Sequence, residues 1–174
     1  YAPAAERASL ARPDKDRTVL DVLTAILLVA APATAPSPAA AGIDPSTSHI
    51  LGVALTDSEE SVRRSLGPPN SVERYQDEMA DAPAAMLKYD GIEVYLVGNE
   101  VYHLYCSASR CKTATGVAVG DAVKRVFEVY GPAEIETDDG SHFVRYGHTG
   151  TDCYLGFKLR DDRVVEIDLW FDYQ

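Results

Sequence analysis

A chain of 174 residues that is 46% apolar holds enough hydrophobic material for one packed core, which excludes disorder throughout. Its formal net charge of -11 falls wholly in residues 42–174, because residues 1–41 balance Arg7, Arg12, Lys15 and Arg17 against Glu6, Asp14, Asp16 and Asp21. Phosphate binding needs a basic stripe, so nucleic acid and anionic membrane are excluded as partners and a basic or neutral protein is favoured.

Residues 1–41 have the order of a signal peptide: Arg12, Lys15 and Arg17 precede an apolar run at 22–31, and an Ala/Pro-rich stretch ends at Ala39-Ala40-Ala41. The run is far short of the roughly 20 residues that span a bilayer, so no stable membrane insertion is expected after processing. Cleavage is expected near Ala41, with Ala33 the second candidate, which places the mature protein outside the cytoplasm, secreted or in the cell envelope. Residues 42–48, rich in Gly, Pro and Ser, read as a linker.

Residues 52–68 then realign without a gap on residues 116–132, with Gly52, Val53, Ala54, Asp57, Val62, Gly67 and Pro68 identical 64 positions on. The chain therefore reads as two tandem repeats, 49–111 and 112–174. Each opens on a short helix, with Asp57 or Asp121 as N-cap and Gly67 or Gly131 ending it before a proline. In the first, Asp57 and Glu60 match a capping box, and Ser58 is the alternative cap. The second carries Val123, Val126, Phe127 and Tyr130 at helical spacing, so it is expected to be the more deeply buried.

Four strands follow each helix. In the first repeat they are expected at 71–75, 85–89, 92–97 and 101–106, with turns at Asp90-Gly91 and Gly98-Asn99, and an acidic mobile loop at 76–83. In the second they are expected at 135–138, 143–146, 153–159 and 164–171, the last two joined through Asp161-Asp162. The fold class is α+β: a helix and a four-stranded antiparallel meander, twice, with the sheets joined side by side into one curved surface.

Period two assigns the faces. Ile92, Val94, Leu96, Tyr102, Leu104, Leu155, Phe157, Val165, Ile167, Leu169 and Phe171 are placed inward. The opposite face then carries Lys88, Glu93, Tyr95, His103, Tyr105, Arg145, Tyr154, Lys158, Glu166, Asp168 and Trp170. Tyr, Trp and Arg are the types enriched at interfaces, so Tyr95, His103, Tyr105, Tyr154 and Trp170 are the candidate partner-binding residues; an ordinary solvated sheet face also favours Tyr and Trp.

Cys106, Cys111 and Cys153 sit in a chain bound for an oxidising compartment. Cys106 and Cys111 bracket four residues and make the first choice of disulfide, leaving Cys153 as a small buried apolar residue; a Cys106–Cys153 bridge is the competitor. His142, His148 and Cys153 fit no zinc-ligand spacing, so no metal site is expected. The four histidines are scattered, and no nucleophile elbow, P-loop or dinucleotide fingerprint is present, so neither cofactor nor catalysis is expected. The Asp138-Asp139 and Asp161-Asp162 pairs belong to hairpin tips.

The helix spacing Gly120, Val126, Gly131, matched by Val62 and Gly67 with Thr56 in place of the first glycine, resembles the beta-lactamase inhibitory proteins. One repeat at a time, it also resembles the BamE (SmpA) family of outer-membrane assembly lipoproteins. The families' Gly-Met-Thr entry and the lipoproteins' anchoring cysteine are absent. The resemblance covers about residues 50–171 and implies a curved sheet that covers an enzyme's rim while two loops enter its cleft. The corresponding loops are the Asp90-Gly91 hairpin, where Asp90 would mimic a substrate carboxylate, and residues 148–152. Two functions are thus expected from this chain: a secreted binding module for a protein partner, or an inhibitor of an extracytoplasmic enzyme such as a beta-lactamase or peptidase.

Overall fold

Turn chemistry cuts this chain into short strands, and hydrophobic alternation decides which way each strand faces. The computed structural model describes residues 42–172, so the predicted leader lies outside the described residues. The elements are α1 (Glu59–Leu66), β1 (Ser71–Asp77), β2 (Ala82–Tyr89), β3 (Ile92–Val97), β4 (Glu100–Cys106), α2 (Val123–Tyr130), β5 (Glu136–Asp138), β6 (Ser141–Gly147), β7 (Cys153–Arg160) and β8 (Arg163–Phe171). The fold is α+β, with two α-helices among the described residues and one open eight-stranded antiparallel sheet of order β1-β2-β3-β4-β8-β7-β6-β5. The seam is β4 against β8, which pairs Cys106 with Ile167 and His103 with Trp170. At Gly98-Asn99 and Asp161-Asp162 both turn residues have positive φ, the mirror-image turn whose twist matches the flanking strands.

One inward row crosses seven strands in register: Val72, Leu87, Val94, Leu104, Leu169, Leu155 and Tyr146. All but the partly buried Val72 are sealed from water. From α2, Val126 and Tyr130 pack into this core, the Tyr130 ring lying 5.2 Å from Tyr146 and 5.5 Å from Phe157. From α1 only Val62 is buried; charge ties also hold this helix, with Glu59 bridging Arg63 at 2.7 Å and Arg74 at 3.0 Å. Both helix ends are fastened to the sheet, as Tyr89 donates to the Gly67 carbonyl and Tyr146 to that of Gly131.

Neither aspartate caps its helix. Asp57 accepts from the Ala54 amide at 2.8 Å and Asp121 from Ala118 at 2.9 Å, so each carboxylate is spent closing the turn before the helix. Ser58 caps α1 by accepting from Ser61. Ala122, with no side-chain acceptor, stands at the N-cap of α2, where Val123 donates to the Asp162 carbonyl instead. The backbone of each turn also pairs with a strand: Thr56 and Asp57 with Val101, and Gly120 and Asp121 with Val164.

Three further expectations are corrected. Residues 76–83 form the tip of the β1–β2 hairpin rather than a loop, because Asp77 Oδ1 accepts from the Met79 and Ala80 amides and turns β1 into β2. The linker at 42–48 is docked: Ile43 is buried and exchanges backbone bonds with Gly147 and Thr149, and Pro45–Thr47 form a 3-10 turn capped by Asp44. Finally, Tyr102 and Val165 do not face the core. The registers slip between Tyr95 and Leu96 and between Lys158 and Leu159, so each facing strand carries one extra residue. Val101 and Val164 take the inward positions, and Tyr102 joins the aromatic group beside Tyr95.

Candidate functional site

The outer face is organised by the same registers as the core. One row runs Met86, Tyr95, His103, Trp170, Tyr154 across β2, β3, β4, β8 and β7. Beside it runs Lys88, Glu93, Tyr105, Asp168, Gly156, Arg145 across β2, β3, β4, β8, β7 and β6. Neighbouring strands in a sheet lie about 4.8 Å apart, close enough for these rings to touch. His103 stacks on Tyr105 at 3.9 Å, Tyr95 meets Tyr105 edge to face at 5.7 Å, and Trp170 stacks on Tyr154 at 5.4 Å. The structure thus brings Tyr95, His103, Tyr105, Tyr154 and Trp170 into one half-buried cluster.

Asp90 stands apart from this cluster. Its carboxylate accepts from Asn70 at 2.8 Å, and the neighbouring Gly91 carbonyl accepts from the Ser107 and Ala108 amides. A Cβ at Gly91 would lie 2.9 Å from the Ala108 nitrogen, so glycine is required where the hairpin presses on the disulfide loop. The loop at 148–152 sits at the other end of the strands: Cys153 pairs with Phe171, whereas the Asp90 hairpin adjoins the Ile92–Cys106 pair. The disulfide is Cys106–Cys111, with Cα atoms 5.8 Å apart, and Cys153 is a buried free thiol whose burial raises its pKa. His142 bonds Thr137 at 3.0 Å on the exposed edge hairpin, and His148 is buried beside the docked Ile43.

Two features were not anticipated. Gly156 sits mid-strand in β7, facing outward, and a Cβ there would lie 2.8 Å from Trp170 Cζ3 and 3.8 Å from Asp168 Cβ. The missing side chain is what lets the indole lie over β7; a lone glycine inside the strand Cys153–Arg160 was the available signal. The second is Asp168, only 9% exposed although its face is solvated. Tyr105 and Gly156 flank it in register, Trp170 leans over the gap, and its Oδ1 has no hydrogen-bond partner among the described residues.

Burial pushes the Asp168 carboxyl up to about 8, with Glu166 adding repulsion and Lys158 opposing. Burial alone pushes His103 down to about 4, and its Nε2 also lacks a partner among the described residues. Both groups are therefore neutral at pH 7. Asp168 Oδ1 and His103 Nε2 are sealed beneath their neighbours. The Tyr95 phenol is also raised, by burial and then by its 2.8 Å bond to Glu93. The arrangement is thus a surface of neutral rings with charges at its margin, among them Lys158–Glu166 at 4.0 Å and Arg145–Glu136 at 3.3 Å.

No protein-family profile matches the sequence, and no curated protein matches it. Among solved structures the chain is similar to a DUF4309 family protein from Bacillus subtilis subsp. subtilis str. 168, with TM-score 0.38, 12% identity, and 67% of this chain and 79% of that chain covered. It is also similar to a cysteine-rich secretory protein from Staphylococcus aureus subsp. aureus Mu50, with TM-score 0.46, 12% identity and coverage of 74% and 48%. A third is an extracellular protein containing a SCP domain from Bacillus anthracis str. Ames, with TM-score 0.46, 7% identity and coverage of 83% and 50%. The chain spans about half the length of the last two.

Proposed function

We propose that this chain is a secreted, non-catalytic protein-binding module that holds a protein partner with its outer sheet face and hairpin loops. The observation that carries this reading is the row Tyr95, His103, Trp170 and Tyr154, in register on four neighbouring strands and half-buried. Such rings offer large, rigid contact area at low entropic cost, and they are the types that dominate interface energetics. The charges of both signs around them fit the polar rim of an interface. Location outside the cytoplasm is supported by the Cys106–Cys111 disulfide, since such bridges persist in oxidising compartments.

In the same reading, residues 49–111 and 112–174 are copies of one helix-plus-meander unit, as in the beta-lactamase inhibitory and BamE (SmpA)-type proteins they resemble. Supporting this, the Ala54–Asp57 turn bond recurs as Ala118–Asp121, and the two register slips fall in β4 and β8. The test is affinity for a partner identified from secreted or envelope extract and then purified. Trp170→Ala and Tyr95→Ala should each weaken it by about 1 kcal/mol or more while the fold is retained. Unchanged affinity in both variants refutes the face as the binding surface.

Inhibition of an extracytoplasmic enzyme is the second reading, favoured by the pinned Asp90-Gly91 hairpin, because a pre-organised loop loses little entropy on entering a cleft. Its test is Asp90→Ala in an inhibition assay against the partner enzyme. Full inhibition by that variant removes this residue from the mechanism.

A further inference from the structure

The end of the outer face beside Tyr105 has a definite chemistry. A cleft of about 340 Å³ opens there, walled chiefly by Gly91, Glu93, Tyr95, Tyr105, Ser107 and Glu166, with no basic side chain in its lining. Glu93 accepts from the Tyr95 hydroxyl and has no ion pair within 4.0 Å among the described residues. Among the described residues Glu166 has only Lys158, at the 4.0 Å limit, and Lys88, which pairs in register with Glu93 and feels its charge, is held at 2.7 Å by Glu73 outside the cleft. Behind the cleft, across the seam from Tyr105, lies Asp168, nine-tenths buried with Oδ1 unpartnered. The Tyr105 phenol, raised first by its own burial, also feels all three carboxyl groups, Asp168, Glu166 and Glu93. Two tyrosine rings and two under-neutralised carboxylates therefore converge on one opening, with a buried acid behind it.

We propose that this cleft receives an arginine side chain from a basic segment of the partner, its guanidinium against the Tyr95 and Tyr105 rings with Glu93 and Glu166 as counter-ions; this rests on the protein-binding reading above. Guanidinium is planar and weakly hydrated, stacks on aromatic rings, and forks onto carboxylates, which lysine's compact ammonium does less well. The volume lies at the low end of the roughly 300–1,000 Å³ of small-molecule pockets, which suits one side chain. The net charge of -11 draws a basic segment toward this surface before contact. Beyond the cleft, the ring row provides the apolar contact for the rest of the segment.

The experiment is calorimetric titration of the full chain, at about physiological salt to screen long-range attraction. The probe is an acetylated Gly-Arg-Gly-Arg-Gly amide, with citrulline and lysine analogues beside it. Saturable binding at one site is expected for the arginine peptide, at least fivefold weaker for the lysine peptide, and undetectable for the neutral citrulline peptide. Glu93→Gln and Glu166→Gln should each weaken the arginine peptide at least fivefold, whereas Glu134→Gln, an exposed acid outside the cleft, should not. Equal loss in all three variants means diffuse attraction to an acidic surface and overturns the proposal, as does the absence of saturable binding. The two readings fail separately. Partner affinity that depends on Trp170 but not on Glu93 or Glu166 overturns the cleft assignment alone. Partner affinity that depends on Glu93 and Glu166 but is indifferent to Trp170 and Tyr154 upholds the cleft and overturns the ring row.

Discussion

Asp168→Asn probes the acid at the centre of the outer face. Burial, then Glu166, raises this carboxyl from 3.8 to about 8, so the folded protein keeps a proton that the unfolded chain gives up. Below about pH 4 both states are protonated; as pH rises from about 4 to about 8, stability falls. By pH 7 the accumulated loss is about three log units, or roughly 4 kcal/mol. His103 works in the opposite sense, since burial lowers it from 6.5 to about 4, and the stability it affects is complete above about 6.5 and lost as pH falls toward 4. His148, also lowered by burial, adds to that acid-side loss. Below about pH 6.5 the acid and the imidazoles therefore oppose one another, and between about 6.5 and 8 Asp168 dominates.

In that window the wild-type protein should lose roughly 1 to 2 kcal/mol. The Asn variant has no proton to keep and should show no slope. At pH 7 it should be more stable by about 1 to 3 kcal/mol, because the extra buried amide donor cancels part of the gain. Urea melts across the window, read by the fluorescence of Trp170, the chain's one tryptophan, measure both quantities. A flat or rising wild-type profile, or an Asn variant with the wild-type slope, refutes the assignment of a buried, uncompensated acid.

Gly156→Ala puts a methyl group 2.8 Å from the Trp170 ring at a position of ordinary φ, so its effect is steric. It should cost about 1 to 2 kcal/mol and shift Trp170 emission to longer wavelength as the ring lifts; an unchanged spectrum would show that the indole does not depend on that gap. Val126→Ala removes a fully buried side chain and should cost roughly 2 to 3 kcal/mol in denaturant melts, while Glu128→Ala, on the exposed side of α2, should be nearly silent. Replacing Cys106 and Cys111 by serine opens a short loop and should cost about 2 kcal/mol, with non-reduced peptide mapping of the parent showing those two cysteines linked.

Much of this molecule is legible locally. The eight strands and two helices were readable because Gly, Asn, Asp and Pro stop each element and apolar residues recur at period two or 3.6 within it. The Cys106–Cys111 pairing was readable because only four residues separate the two thiols. Alternation likewise put Tyr95, His103, Tyr105, Tyr154 and Trp170 on one face, since a strand's period carries from residue to residue without reference to its neighbours. What failed did so where pairing between strands overrides a local pattern. Asp57 and Asp121 look like helix caps, yet their carboxylates go to Ala54 and Ala118 in turns that pair with β4 and β8. Tyr102 and Val165 alternate inward on paper, but each is the extra residue where its strand slips register against a partner. The β4–β8 seam, which lines His103 up with Trp170 and Tyr105 with Asp168, joins residues more than 60 positions apart. Gly156 and the buried Asp168 acquire their meaning from that seam and from the β7–β8 pairing beside it, because burial and close approach belong to the space between strands.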